Sequence, residues 1–298
     1  MLINSQTLDL AFRGSKTIYS DAFDAAPSHK DQIAMTVPST GRDETYGWLG
    51  QFPQLREWIG PRHVHNLTAH GFTIKNRKFE STVAIQRDDM SDDRLGLFKP
   101  SFAEMGHLAR HHPEELIFGL LASGFSSLCY DGQNFFDADH PQFDREGNEV
   151  HVSNVQAGAD TPWFLLDTSR AVKPLIWHER EDYQFTAMSD PANPHVFMND
   201  EYIYGVRARV NAGFGLWQLG YGSKGALTSE NYAAARSAMM NFRADGGRIL
   251  GIQPTTLVVP PSLESDALKL LNSELGSGGE TNQWKGTAKL IVTPFISE

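Results

Sequence analysis

The chain has 298 residues, 40% hydrophobic and 21% charged, with 26 Gly and 15 Pro, a balance that excludes collagen-like, coiled-coil and wholly disordered chains. Its length suits one large domain or two modest ones, with enough chain to bury a core without disulfides or metals. The formal net charge is −10 with no basic run, a poor grip for nucleic-acid phosphates.

Cys129 is the lone cysteine, which excludes an intrachain disulfide and fits a reducing compartment. No stretch approaches the roughly 18–20 apolar residues of a membrane span. Residues 1–16 interrupt their apolar positions with Asn4, Gln6, Asp9 and Arg13, unlike a secretory signal. A soluble cytosolic protein is the expectation.

Residues 1–42 read as a weakly structured arm, with Leu8, Phe12, Ile18 and Phe23 as scattered apolar anchors and Pro27 as a helix breaker. Its charges cancel, and anchors without a sustained period suggest docking on something else, such as another copy of the chain, or else a loop lying on its own domain. Residues 43–70 crowd Tyr46, Trp48, Leu49, Phe52, Leu55, Trp58 and Ile59 among Gly47, Gly50, Pro53, Gly60 and Pro61. That is too much Gly and Pro for a core helix and too many large rings for a solvated loop, so a protruding loop covered by another surface is expected. A satellite core beneath the loop is the alternative. Subunit-interface roles are assigned to Trp48, Phe52 and Trp58.

From Gly71 to Arg87 the parity of Phe72 and Ile74, then of Phe79, Ser81, Val83 and Ile85, predicts two strands joined by a tight turn at Asn76-Arg77. Phe98 to Gly124 is predicted helical, opened by Pro100 and striped by Phe102, Met105, Leu108 and Ala109. Pro113 either kinks this helix or opens a second one carrying Leu116, Ile117, Leu120 and Leu121, and Gly124 ends it. Residues 125–225 read as strands and loops, with alternation over Tyr202–Val210 and a turn at Asn211-Ala212-Gly213 leading into a hairpin over 216–222. Thr228 is placed to cap a helix bearing Tyr232, Ala235, Met239 and Phe242, stopping at Gly246-Gly247. A buried strand over Thr255–Val259, a helix capped by Ser262 with Ala267, Leu268, Leu271 and Leu275 on one face, a flexible turn at Gly276–Gly279 and a final strand over Ala288–Val292 complete the pass. The class is α+β.

No constellation assembles an active site. Asp88, Asp89, Asp92 and Asp93 could ligate Mg²⁺ or Ca²⁺ through oxygen, but they lack the Gly and distal Glu of an EF-hand. They also precede a helix, where carboxylates are favoured by the dipole, and the structural reading is preferred. His63-Val64-His65 would share one face of a strand, and His111-His112 would diverge on a helix; neither has zinc-site spacing. Asp137, Asp139 and His140 resemble catalytic furniture without a nucleophile, and turn chemistry accounts for them. The Gly213 and Gly220 pairs are not followed by a phosphate-binding helix. No catalytic, cofactor or metal residue is assigned, and a structural, self-associating role is indicated.

Several stretches resemble the major head (capsid) protein family of Mu-like tailed bacteriophages and prophages. They are Tyr46-Gly47-Trp48-Leu49-Gly50 with Phe52-Pro53 and Glu57-Trp58, Arg87-Asp88-Asp89 with Asp92-Asp93 and Leu95-Gly96, and Pro113-Glu114-Glu115-Leu116-Ile117-Phe118. The longest is Cys129-Tyr130-Asp131-Gly132-Gln133-Asn134-Phe135-Phe136-Asp137 with His140-Pro141; Ser169–Pro174, His195–Met198 and Val258-Val259-Pro260 carry the likeness onward in the same order.

The resemblance implies the Hong Kong 97 capsid fold, with 1–42 as N-terminal arm and 43–86 as extended loop and flanking strands. It further implies a peripheral domain with a long spine helix over 87–160, an axial domain with peripheral-domain strands over 161–280, and a closing strand over 281–298. It implies a subunit that forms pentamers and hexamers of an icosahedral head around double-stranded DNA, held without sequence specificity, with portal, scaffolding and decoration proteins as partners and no membrane. The location implied is the virion, assembled in the cytoplasm of the bacterial host. The acidic balance fits an inner wall along which a packaged genome slides. An encapsulin-like compartment is one alternative, and a metal-dependent hydrolase using the four aspartates is another.

Overall fold

The computed structural model describes residues 4–49, 72–92, 94–276 and 278–296. The chain opens with α1 (Ser5–Ala25), started by a reciprocal cap in which the Asn4 side chain accepts from the Thr7 amide and the Thr7 hydroxyl accepts from the Asn4 amide. Leu8, Ser15 and Tyr19 are buried, and Phe12, Ile18 and Phe23 are half-buried beside them. The expectation of a weakly structured arm is therefore corrected over this span: a small polar residue, Ser15, occupies a buried helical position and hides the period. Short α2 (Lys30–Ile33) leads into β1 (Ala34–Pro38).

β2 (Asp43–Tyr46) pairs antiparallel with β3 (Phe72–Lys75), and β4 (Arg77–Gln86) follows after a single residue. The tight hairpin expected between β3 and β4 is not formed. One residue is too short for a hairpin loop, and the Asn76 side chain is tied instead to Ser39 Oγ and the Gly41 carbonyl at 3.1 and 3.0 Å. After one turn of α3 (Arg87–Ser91), α4 (Lys99–Ser123) runs unbroken through Pro113, with Gly124 as its C-cap. Phe102, Met105, Ala109, Ile117, Phe118 and Leu121 are buried along it, whereas Leu108, expected in the buried stripe, is 51% exposed.

β5 (His140–Phe143) and β6 (Glu149–Val152) form a hairpin, followed by β7 (Val155–Gln156) and the fully buried β8 (Trp163–Leu166). Two long strands, β9 (Leu175–Met188) and β10 (Glu201–Phe214), are linked through α5 (Pro194–Asn199). Tyr202, Tyr204, Val206, Ala208 and Val210 are buried on one side of β10, as their alternation requires. Asn211-Ala212-Gly213 is not a turn: β10 continues through it, and Gly213 is needed because a Cβ there would lie 2.0 Å from Ile74 Cδ1. The expected hairpin over 216–222 is a 3₁₀ turn and then β11 (Gly220–Ser223) of another sheet.

α6 (Ser229–Met240) is capped by Thr228 as expected, but it ends at Asn241, and Gly246-Gly247 instead turn the small hairpin of β12 (Arg243–Ala244) and β13 (Arg248–Ile249). β14 (Thr256–Val259), α7 (Glu264–Asn272) and β15 (Lys289–Val292) complete the chain. Leu263, not Ser262, precedes α7, and Leu268 and Leu275 are exposed at 40% and 58%.

Two sheets organise these elements. The first has the order β1-β9-β10-β4 and carries α4 and α1 on one face; the second has the order β15-β14-β8-β11-β7, with α6 and α7 against it. One core joins the second sheet to the C-terminal half of α4 and the start of β9, through Ile117, Leu121, Trp163, Leu165, Trp177 and Leu257. A second core, built on Leu8, Tyr19, Phe102, Phe185, Tyr202 and Tyr204, lies between the helices and the first sheet. The chain is α+β, as expected.

Candidate functional sites: a buried polar clasp and the contact faces

The longest motif, residues 129–141, folds into a clasp rather than a reaction centre. The Asp131-Gly132 turn, with Gly132 at φ 88°, doubles the chain back so that the Cys129 amide donates to the Gln133 carbonyl at 2.8 Å. Asp131 then collects three donors: the Gln133 amide and the Cys129 thiol at Oδ1, both at 3.0 Å, and His140 Nδ1 at Oδ2, at 2.7 Å. Burial opposes the charge on Asp131, but the hydrogen bonds from His140 and Cys129 outweigh it and hold the carboxyl below its ordinary value.

His140 is fully buried and stacks on Trp217 with ring centroids 3.9 Å apart and planes 8° from parallel. Its Nε2 lies 3.1 Å from Asn154 Oδ1, which also accepts from the Asp137 amide at 2.9 Å. Asn154 Nδ2 in turn faces the carbonyls of Phe135, Trp217 and Gly220 at 2.8, 3.3 and 3.2 Å, and these three acceptors fix which way its amide points. Asn154 thus ties together the motif, the 3₁₀ turn and β11. Sequence reasoning singled out Asp137, Asp139 and His140 and missed Asp131 and Asn154 as partners. Asp137 bonds the Asn134 and Ala138 amides in the turn role expected of it, and exposed Asp139 pairs with His151 at 2.9 Å.

The donors of Cys129, Asp131 and His140 all lie within 4.8 Å of one another, a set that by type could hold a metal. Their chemistry points elsewhere. Burial, and then the charge of Asp131, pushes the thiol well above its ordinary value, whereas both metal ligation and nucleophilic attack need the thiolate. Asp131 also stands between Cys129 and His140, so the ring bonds the carboxylate instead of activating the sulfur.

The acidic run is dispersed likewise. Asp88 and Asp89 lie in the first turn of α3, and Asp89 meets Arg94 at 3.3 Å. Asp92 caps that helix, and Asp93 lies outside the described residues. His111 and His112 diverge as expected, His112 turning to Tyr183 and Phe79. His63 and His65 lie outside the described residues.

Of the three residues assigned to a subunit interface, Phe52 and Trp58 lie outside the described residues. Trp48 is half-buried against its own subunit's core, edge-on to Tyr46 at a centroid distance of 6.2 Å. Large apolar groups face outward elsewhere: Phe197 and Met198 on α5 are 79% and 77% exposed, and Leu97 before α4 is 72% exposed. A surface with such groups suits association better than isolation. Among the described residues no helix is long and apolar enough to cross a membrane.

Comparisons with known proteins agree with this picture. The family model of the Mu-like prophage major head subunit gpT matches residues 8–296. The major capsid protein of Escherichia phage Mu is 43% identical over 305 aligned residues, covering 99% of this chain and 100% of that protein. The subunit in the procapsid of bacteriophage JBD30 superposes with a TM-score of 0.88 at 44% identity, covering 98% of this chain and 100% of that one. The subunit in the JBD30 capsid decorated with minor capsid protein trimers gives 0.76 at 33% identity, over 94% and 93%. The capsid fold and the capsid-subunit function implied by the motifs are those of these relatives; the function is structural, in the phage capsid, and not enzymatic. The chain belongs to the Mu-like prophage major head subunit family.

Proposed function

We propose that this capsid subunit assembles as pentamers and hexamers into the icosahedral head that encloses the double-stranded DNA of a Mu-like tailed phage. The observation that carries the reading is the agreement of the chain, almost end to end, with the subunit of a procapsid. In this reading α4 is the spine of the peripheral domain, while α1 and β1 belong to the arm and β4 to the segment 43–86. The strands β8, β11 and β14 of the second sheet with α6 and α7 form the axial domain, β9 and β10 being peripheral strands contributed from residues 161–280; β7 falls within 87–160, and β15 lies in the closing segment 281–298. Residues 1–42 are the arm and 43–86 the extended loop with its flanking strands. Trp48, Phe52 and Trp58 meet the neighbouring subunit, as do the outward-facing groups of α5.

Portal and scaffolding proteins act in building the head within the host cytoplasm, and a minor capsid protein decorates it, as in the decorated JBD30 capsid. The net charge of −10 supports an inner wall that packaged DNA slides along instead of adhering to. Negative-stain micrographs of purified particles test the reading: DNA-filled shells bearing tails are expected. Tail-less shells loaded with a cellular protein would point to a compartment instead.

A further inference from the structure

Beside the divergent His111-His112 pair, α4 carries a second histidine relationship that a reading of adjacent residues conceals. His107 and His111 stand four residues apart, one turn along the same helical face. Their ring centroids are 4.3 Å apart with planes inclined at 41°. His107 is exposed and His111 half-buried, and among the described residues neither ring takes part in a hydrogen bond or ion pair. Docking of α1 occupies a different side of the helix, at Gly106, and His112 is turned away to Tyr183. Glu104 and Glu115, both exposed, bracket the pair one turn before and one turn after.

We propose that His107 and His111 form a two-imidazole site for a divalent transition cation of the zinc or nickel type. Zinc–nitrogen bonds of about 2.0–2.1 Å put two ligand nitrogens on one tetrahedral ion roughly 3–3.5 Å apart, within reach of these rings by small side-chain rotations. Paired imidazoles at this spacing on one helix face are a recurring zinc-binding arrangement, and imidazole selects such ions over magnesium and calcium, which prefer oxygen. The flanking carboxylates supply a negative field without needing to ligate, and water fills the remaining positions. Chelation across one turn acts in parallel with the helix's own backbone bonds, so the ion favours the helical state of the element on which α1 docks. The buried set of Cys129, Asp131 and His140 offers no equivalent, since its donors are already bonded to one another.

The test is calorimetric titration of the untagged, full-length, unassembled subunit with zinc chloride, beside the double variant His107→Gln/His111→Gln and both single variants. The number of zinc ions bound should fall by one per chain in the double variant, and the affinity at that site should weaken at least tenfold in each single variant. Circular dichroism should be unchanged, and magnesium at equal concentration should not compete. Zinc should raise the melting temperature of the wild type more than that of the double variant. Equal stoichiometry and affinity in wild type and double variant, or displacement of zinc by equimolar magnesium, would overturn the assignment.

Discussion

Gly106 of α4 lies directly against the backbone of Tyr19 in α1: a Cβ at Gly106 would stand 2.3 Å from the Tyr19 carbonyl oxygen and 3.1 Å from the Phe23 amide nitrogen. The two helices approach this closely only because the position has no side chain. Around the contact, Tyr19 stacks on Phe185 with centroids 5.0 Å apart, and Phe12 does so at 5.8 Å. Further along, Glu114 of α4, itself buried, accepts from the Ser28 hydroxyl and the His29 and Lys30 amides, so the segment after α1 is held by the same helix.

Gly106→Ala should therefore push α1 off α4 and destabilise the subunit by about 1–3 kcal/mol, the usual cost of overpacking. Gly119, on the same helix, has nothing within 4 Å of an added Cβ. Gly119→Ala should instead stabilise by about 0.5–1 kcal/mol through helix propensity. Urea unfolding of the two variants gives opposite signs if the contact is as described; two small changes of one sign would contradict it.

Asn154→Ala tests the clasp. It removes the partner of His140 Nε2 and of the Asp137 amide, and it also strips a donor from three carbonyls, all in a buried setting. Buried polar groups left unpaired cost about 1–3 kcal/mol each and a network more than its pairs, so a loss of about 3 kcal/mol or more is expected. Cys129→Ala, which removes one thiol bond while Asp131 keeps His140 and the Gln133 amide, should cost less. Equal losses would show that Asn154 is not the central member.

What was legible in the sequence follows from which signals are local. Alternation over Tyr202–Val210, the Thr228 cap and, Leu108 apart, the long apolar stripe of α4 are set by neighbours in the chain, and each appears where expected. α1 escaped because Ser15 sits where an apolar residue is normally sought, and Tyr19, its main anchor, completes a period that Leu8, Phe12, Ile18 and Phe23 only suggest. The misplaced hairpins have one cause: Gly213 and Asn76 look like turn residues, but they serve contacts with distant segments, Ile74 in the first case and Ser39 and Gly41 in the second. Asp131 and His140 are nine residues apart and could be paired by eye, but Asn154 meets His140 only where the folded chain brings the 3₁₀ turn and β11 beside it. The likeness to phage head subunits, by contrast, was carried by ordered short motifs and required no such contact.

His178 makes stability depend on pH. It is fully buried in β9, edge-on to Tyr46 at 6.1 Å, with neither ring nitrogen hydrogen-bonded among the described residues. Burial pushes its pKa below the ordinary imidazole value, and Glu44 opposes this only in part. The charged form is thus disfavoured in the folded state, and as pH falls through about 6.5 the unfolded chain takes up the proton first. Stability should be intact above that pH and decline below it, by at most about 1.4 kcal/mol per pH unit for one proton, until the lower folded value is reached. His112, lowered by burial and then by Arg77, adds a parallel loss. His178→Phe should remove part of the slope measured by urea unfolding between pH 7.5 and 5.5; an unchanged slope would assign the effect elsewhere.

The contact faces separate by two readouts, subunit stability and the protein concentration needed for assembly. Phe197 and Met198, at 79% and 77% exposure, give the isolated subunit little, so Phe197→Ser with Met198→Ser should change its stability by no more than about 0.5 kcal/mol. If α5 meets a neighbour, the same variant should raise the assembly concentration, because each shell repeats the contact in every subunit and central interface aromatics can cost about 2 kcal/mol or more on truncation. Trp48 is different: its ring already packs partly buried against its own core, so Trp48→Ala should lower subunit stability by about 1–3 kcal/mol and also impair assembly. Trp58→Ala, under the proposed interface role of that residue, carries the contrasting expectation of an assembly defect with the subunit's melting temperature nearly unchanged. A Phe197/Met198 variant that assembles at the wild-type concentration would remove α5 from the interface. A Trp58 variant that melts early without a separate assembly defect would return that ring to the subunit's own core.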